Sequence, residues 1–366
     1  MNIKDAEVFL VGSMVVPSDT VDEAMGLAAD LIGGQLCAIP DGEVGPRLMW
    51  APGAGGRAFE NHPDFVVDEA ASGSESVIGL IGRYRLKPGV TEVSLDGRFD
   101  YADSAISSYK HLLEMRERGE APDDIRFQVS LPTPMPVVAP WFGDPADWPV
   151  MYSAVWRALH VELARILEVI PADELAISWD YCTEICELVD LTYGHNDCRT
   201  TLGMTWMPER SYDEALAAHT APEYIEPMSH GVPDEVVLGY HFCLGTAPPK
   251  GFPSTPIEDL APVVRVANIV VERTPHRVDY IHLPAMADSN REFFAPLADL
   301  KVGGARVFLG IEQRDGVERL VERGRAAQEF LPSFGISHWC GYGREVAGEL
   351  PKLLSDLHEG ANRLNS

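Results

Sequence analysis

An α/β fold built from eight parallel strands alternating with helices is what this chain of 366 residues predicts. Three observations carry the prediction. Short apolar, β-branched runs recur eight times, segments with helical periodicity separate most of them, and polar residues of ligand type gather just past the runs.

The first run, residues 8–11, precedes a helical stretch over 20–31 for which Ser18, Asp19 or Thr20 can serve as the cap. The second, 35–39, leads into Asp41-Gly42-Glu43, a turn sequence. The third, 126–131, and fourth, 175–179, are preceded by helical stretches over 103–117 and 151–169. The fifth, 236–241, is followed by Thr255-Pro256, which predicts a helix over 256–273 with proline at its first position. The sixth, seventh and eighth cover 278–283, 306–311 and 334–339, with a helix over 316–330 between the last two. Eight such units imply a closed (β/α)8 (TIM) barrel as one domain over 1–366, with a doubly wound open sheet as the competing arrangement. Two stretches, near 50–93 (rich in Gly) and 192–234 (rich in Pro and His), are too long for connectors and are expected to form lids or hairpins over one face.

The chain has 29 Lys+Arg against 56 Asp+Glu, a formal charge of −27, so it lacks the basic face that nucleic-acid binding needs. Hydrophobic content of 46% argues against a disordered acidic protein. There is no apolar stretch of the roughly 18 residues a membrane span requires, and Met1 to Glu7 do not resemble a signal peptide. A cytoplasmic protein with no membrane partner is expected, with self-association left open. Six cysteines are too few for a disulfide scaffold in a chain of this size and read as core thiols or metal ligands.

In a parallel barrel the chemistry collects at the carboxyl ends of the strands. Those positions here read Gly12-Ser13, Asp41-Gly42-Glu43, Asp180 with Glu184, His241 and Cys243, His282, Glu312, and His338 with Cys340. Residues two apart on a strand share a face, so His241 and Cys243 can bind one ion, and imidazole with thiolate is a zinc-type set. Cys340, at the far end of the chain, can reach a metal near the barrel axis, with His338, Glu312 and His282 competing for a fourth place. The bland alternative is a hydrogen-bonded core histidine and buried thiols. Cys182 and Cys186, at helical spacing, read as packing residues. Asp41 and Glu43 either grip a substrate amine or form a turn with its own ion pair to Arg47, while Asp180 and Glu184 suit a cationic substrate group. Arg47, Arg291 or Arg344 would meet an anionic one.

These strand ends resemble the cobalamin-independent methionine synthase superfamily: its catalytic C-terminal barrel and single-barrel relatives, including epoxyalkane:coenzyme M transferases. Val11-Gly12-Ser13, Trp179-Asp180, His241-x-Cys243 and Cys340-Gly341-Tyr342-Gly343-Arg344 carry the likeness. Within it, Ile39-Pro40-Asp41-Gly42-Glu43 and Ile281-His282-Leu283-Pro284 point to a poorly characterised branch. The resemblance implies a zinc ion on His241, Cys243 and Cys340 that binds a thiol as the nucleophile, and an Asp180 that binds a substrate amino group. It also supplies, on the strand carrying His282, a glutamate ligand that this sequence lacks. The expected function is a zinc-dependent transfer of a methyl or other alkyl group to or from a small-molecule thiol. Ser13, Asp41, Glu43, Asp180 and Glu184 would orient the thiol and alkyl donor, and Glu312 and His282 would handle the proton. The alternatives are a metal-free lyase or decarboxylase on a related barrel, and a binding protein with a vestigial site.

Overall fold

Seven parallel strands form one sheet and follow each other in space in the order of the chain. They are β1 (Ala38–Pro40), β2 (Arg126–Pro132), β3 (Leu175–Tyr181), β4 (Val237–Phe242), β5 (Tyr280–Pro284), β6 (Arg306–Glu312) and β7 (Gly335–His338). The structure is a computed structural model describing residues 1–68, 75–76, 79–80, 84–200, 202–247, 252–253 and 255–365.

The first apolar run differs from the expectation of a regular strand. Val8 makes isolated parallel bridges to Leu36 on one side and Ile336 on the other, and Met14 bridges Tyr342. The segment is held as much by side chains as by a ladder. Gln128 Nε2 donates to the carbonyls of Leu10 (2.8 Å) and Val11 (3.1 Å), and Ser130 Oγ donates to Val11 O (2.9 Å). The result is a curled α/β sheet of TIM-barrel type whose two edges both reach the same short segment.

The helices on the outer face bury the stripes their spacing predicts. Val21–Ile32 begins at Thr20, whose hydroxyl accepts from the amide of Glu23. Trp148–Val169 turns Met151, Val155, Leu159 and Ile166 inward. The helix expected from Pro256 starts instead at Ala261, with Pro262 in its first turn and Asp259 accepting from the Ala261 amide at 2.7 Å. A helix not among those expected, Leu350–Asn365, buries Leu350, Leu353, Leu354, Leu357, Ala361 and Leu364 against Val21–Ile32 and Val317–Gln328.

The two long stretches carry their own elements. The first contains helix Trp50–Phe59 and an antiparallel ribbon of Phe65–Val67 with Tyr84–Leu86, anchored by Phe65 on Phe59 and Phe142. Its residues 69–74, 77–78 and 81–83 lie outside the described residues. The second contains short helices Asp197–Thr200, Tyr212–His219 and Pro222–Ile225. Among the described residues, no helix is long and apolar enough to cross a membrane.

Close backbone packing inside the sheet depends on glycine. A Cβ on Gly335 would run into the Phe308 ring and lie 3.1 Å from the Glu7 carbonyl. Gly335→Ala is therefore expected to cost about 1–3 kcal/mol of stability, the usual range for overpacking, read as a lowered urea midpoint. An unchanged midpoint would mean that this end of β7 has slack.

Candidate metal centre and substrate cavity

The strand register brings the polar residues into one row: Pro132 pairs with Asp180, Asp180 with His241, and His241 with His282. Cys243 lies just beyond β4, yet its amide donates to the Tyr181 carbonyl at 3.0 Å. Strand alternation therefore continues and Cys243 faces the same way as His241, while Phe242 between them is buried in the apolar core. Cys340 arrives from the turn after β7. That turn is pressed onto Ser13: the Tyr342 amide donates to Ser13 O at 2.7 Å, and a Cβ on Gly343 would stand 2.9 Å from Ser13 Oγ.

The three side chains converge. A ring nitrogen of His241 and the sulfurs of Cys243 and Cys340 all lie within 4.8 Å of one another, and the two sulfurs are 3.4 Å apart. All three residues are buried. His241 Nδ1 meets His282 Nδ1 at 2.6 Å, and His282 Nε2 donates to the His338 carbonyl at 3.1 Å. Among the described residues, His241 Nε2 is left buried without a partner. Burial pushes the His282 pKa well below the usual imidazole value, so that ring is neutral. The Cys243 thiol is held well below the ordinary thiol range because Cys182 and Cys340 donate S–H hydrogen bonds to it, outweighing burial, with His241 helping.

Cys182, expected to be a packing residue, lines the cavity and groups with Asp180 and Cys243. The signal was present in the sequence: Asp180-x-Cys182 repeats the alternation of His241-x-Cys243 at the end of the neighbouring strand. Cys186 is buried as core.

The cavity in front of the sulfurs has room for about 120 Å³. Its polar wall includes Ser13, Glu43, Asp180 and Arg344; its apolar wall draws Trp50 from one long stretch, Leu48 and Met49 from the turn just before it, and Leu202 and Met204 from the other. Asp180 is buried, its Oδ1 has no partner among the described residues, and burial raises its pKa well above the carboxylate range, with Cys243, Glu184 and Glu43 adding to the rise. Glu43 is pushed up to about 8 by burial, against the opposing pull of Arg47. It sits at φ 45° after Gly42 at φ 81°. The Asp41 carboxylate accepts from the Glu43 amide at 2.9 Å, which supports that left-handed turn. Gly12 makes space for it, since a Cβ there would lie 3.2 Å from Glu43 Oε2.

Other expected residues stand elsewhere. Asp41 pairs with Arg47 at 2.6 Å and accepts from Ser108 at 2.7 Å, away from the cavity wall. Glu184 turns behind the wall, where Thr133 (2.6 Å) and Tyr224 donate to it. Glu312 is fully buried beside Tyr342, with its Oε2 3.8 Å from His338 Nε2, and burial raises its pKa well above normal. His338 donates from Nδ1 to the Cys340 carbonyl at 2.8 Å, and its pKa is depressed to about 3 by burial. Neither Glu312 nor His282 lines the cavity. Of the three arginines, Arg47 pairs with Asp41 and Arg291 with Glu329, whereas Arg344 makes no ion pair among the described residues and leaves its Nε buried without a partner.

An α/β sheet of this type with a His/Cys/Cys cluster at its carboxyl end is thus the class that fold and site define. No family model matches the sequence, and no curated protein matches it. Among solved structures, the chain is similar to a B12-independent methionine synthase from Shewanella sp. W3-18-1 in complex with selenomethionine. The TM-score is 0.60 at 13% identity, covering 99% of this chain and 98% of that one. At that identity the likeness is one of fold.

Proposed function

We propose that this protein is a zinc-dependent transferase that moves a methyl or other alkyl group to or from a thiol. The observation carrying the proposal is the convergence of His241, Cys243 and Cys340, far apart along the chain, on one point beside a cavity. The donor set fits the metal: one imidazole nitrogen without a partner among the described residues and two sulfurs, three ligands with a side open to the cavity, which is the pattern of a catalytic zinc. Zinc held there would favour the ionised form of an incoming thiol, making its sulfur nucleophilic at neutral pH.

The remaining roles belong to the chain. Asp180 and Glu43 are buried acids that make no ion pair among the described residues, so they suit a substrate ammonium, whose arrival ionises them. Arg344, the cavity's only cation among the described residues, suits a carboxylate or similar anion on the same molecule. Ser13, on the same cavity wall, offers a hydrogen-bonding hydroxyl. The apolar wall around Trp50 and Met204 keeps water from the alkyl carbon. We read residues 7–14 as the eighth stave of a single barrel domain. Six cysteines, all present as thiols, suit a cytoplasmic setting.

Metal analysis of protein purified without chelator tests the reading, with one zinc per chain expected. Adding a thiol that bears an amine and a carboxylate should then release protons, since the sulfur and the carboxyls both lose them on binding. Metal-free protein, or thiol binding without proton release, would overturn the proposal in favour of a lyase or of a vestigial binding site.

A further inference from the structure

We infer that His282 is the positioning residue of this centre: it holds His241 in the tautomer that presents Nε2, and it ties that ring to the backbone two residues before Cys340. The inference rests on the metal reading above but concerns a residue that touches neither metal nor substrate.

The hydrogen-bond logic leaves little freedom. A backbone carbonyl only accepts, so the 3.1 Å contact with His338 O places a hydrogen on His282 Nε2. Completely buried, with another imidazole and a backbone carbonyl against its two nitrogens, this ring carries one hydrogen, so its Nδ1 is the acceptor. The 2.6 Å approach of His241 Nδ1 requires a hydrogen between the two rings, and it comes from His241. With Nδ1 protonated, His241 keeps its lone pair on Nε2, the atom found buried and unpartnered.

The surroundings are shaped for this chain of bonds. His282 is in register with His241 on the adjacent strand and is completely buried. The Phe9 ring packs against it at 5.6 Å. On β6, Gly310 opens the passage to the carbonyl: a Cβ there would lie 2.9 Å from His282 Nε2, 3.1 Å from His338 O and 2.6 Å from Trp339 Cα. Ligands that leave β4 and β7 are thereby linked across β5 and β6, which carry none of the three. An outer partner of this kind orients the ligand ring and raises its basicity.

Protein labelled with ¹⁵N-histidine and loaded with ¹¹³Cd provides the direct test. We expect cadmium–nitrogen coupling at His241 Nε2 and none at either nitrogen of His282, whose Nε2 carries a slowly exchanging hydrogen. Coupling at His282 would overturn the inference. His282→Leu should weaken zinc binding by about 10–100-fold, while His282→Asn, whose amide oxygen can replace the Nδ1 acceptor, should recover most of that loss. Wild-type affinity in the leucine variant, or asparagine no better than leucine, would also overturn it; should the leucine variant fail to fold, the coupling pattern decides. Protein that binds no metal refutes the metal reading, while ¹⁵N shifts showing His241 protonated at Nε2 and not at Nδ1 in the metal-free protein refute this one.

Discussion

Replacing Cys243 with serine is expected to strip the metal from the protein. Binding free energies of about 10–16 kcal/mol for zinc on small sites of this chemistry are shared among a few ligands, so one lost thiolate should cost on the order of 3–4 kcal/mol, several hundredfold in affinity. The serine hydroxyl does not ionise near neutrality and is a poor substitute for a thiolate. Cys340→Ser should behave alike, because the two sulfurs sit 3.4 Å apart and serve the same point. Cys182→Ser is the contrast. Cys182 hydrogen-bonds Cys243 but stands outside the His241, Cys243 and Cys340 cluster, so its loss should leave zinc near one per chain. Stoichiometry by mass spectrometry of the metal, with Co²⁺ absorption as a second readout, separates the variants. Full zinc retention in Cys243→Ser would end the ligand assignment, and loss in all three would point to a site built differently.

The second large effect concerns the two acids of the cavity. In the folded protein Glu43 keeps its proton up to about pH 8, against an ordinary value of 4.5. The folded state therefore binds more protons than the unfolded chain between those values, and stability falls as pH rises through that window. The Asp180 pKa is raised in the same direction. Glu43→Gln removes the liability: it should match the wild type near pH 4 and exceed it above pH 8 by about 3–5 kcal/mol. Urea unfolding across this pH range reads the difference, and parallel curves for the two proteins would refute the assignment. Function should pay in the opposite sense. In the role proposed for it, Asp180→Ala would remove one partner of a buried charge pair with a substrate ammonium, at a cost of about 2–5 kcal/mol in binding. An amino-thiol should bind about 30-fold or more weaker to that variant, while the same thiol without its amine should bind both proteins equally. Equal weakening of both ligands would show that Asp180 supports the cavity without touching the amine.

Strand positions were legible in the sequence because buried parallel strands are short continuous apolar runs, and seven of the eight runs became sheet strands. The run at residues 8–11 looked the same but is held by Gln128 and Ser130 as well as by isolated bridges, a long-range arrangement with no local signature. Leu350–Asn365 carries a helical stripe beyond the last apolar run and outside the expected elements. The helix predicted from Pro256 was displaced to Ala261, since a proline preceded by threonine marks a permissible helix start without requiring one. At the site, two-residue alternation found His241 with Cys243, and the same rule applied to Asp180 would have found Cys182. Glu184, expected to meet a cationic substrate group, is drawn behind the wall by its neighbours Thr133 and Tyr224.

What the sequence by itself determined was the α/β class, the strand ends where chemistry could gather, and the residue types standing there, because these follow from periodicity and local turn chemistry. The tertiary structure alone decided which of those residues meet. It put Cys340 beside Cys243, turned Asp41 toward Arg47, left Arg344 without an ion pair among the described residues, and committed both nitrogens of His282 to protein partners. The reason is physical: a curled sheet brings together strands separated by about a hundred residues, and whether a side chain there becomes a ligand, a brace or a buried acid depends on neighbours that no local pattern encodes.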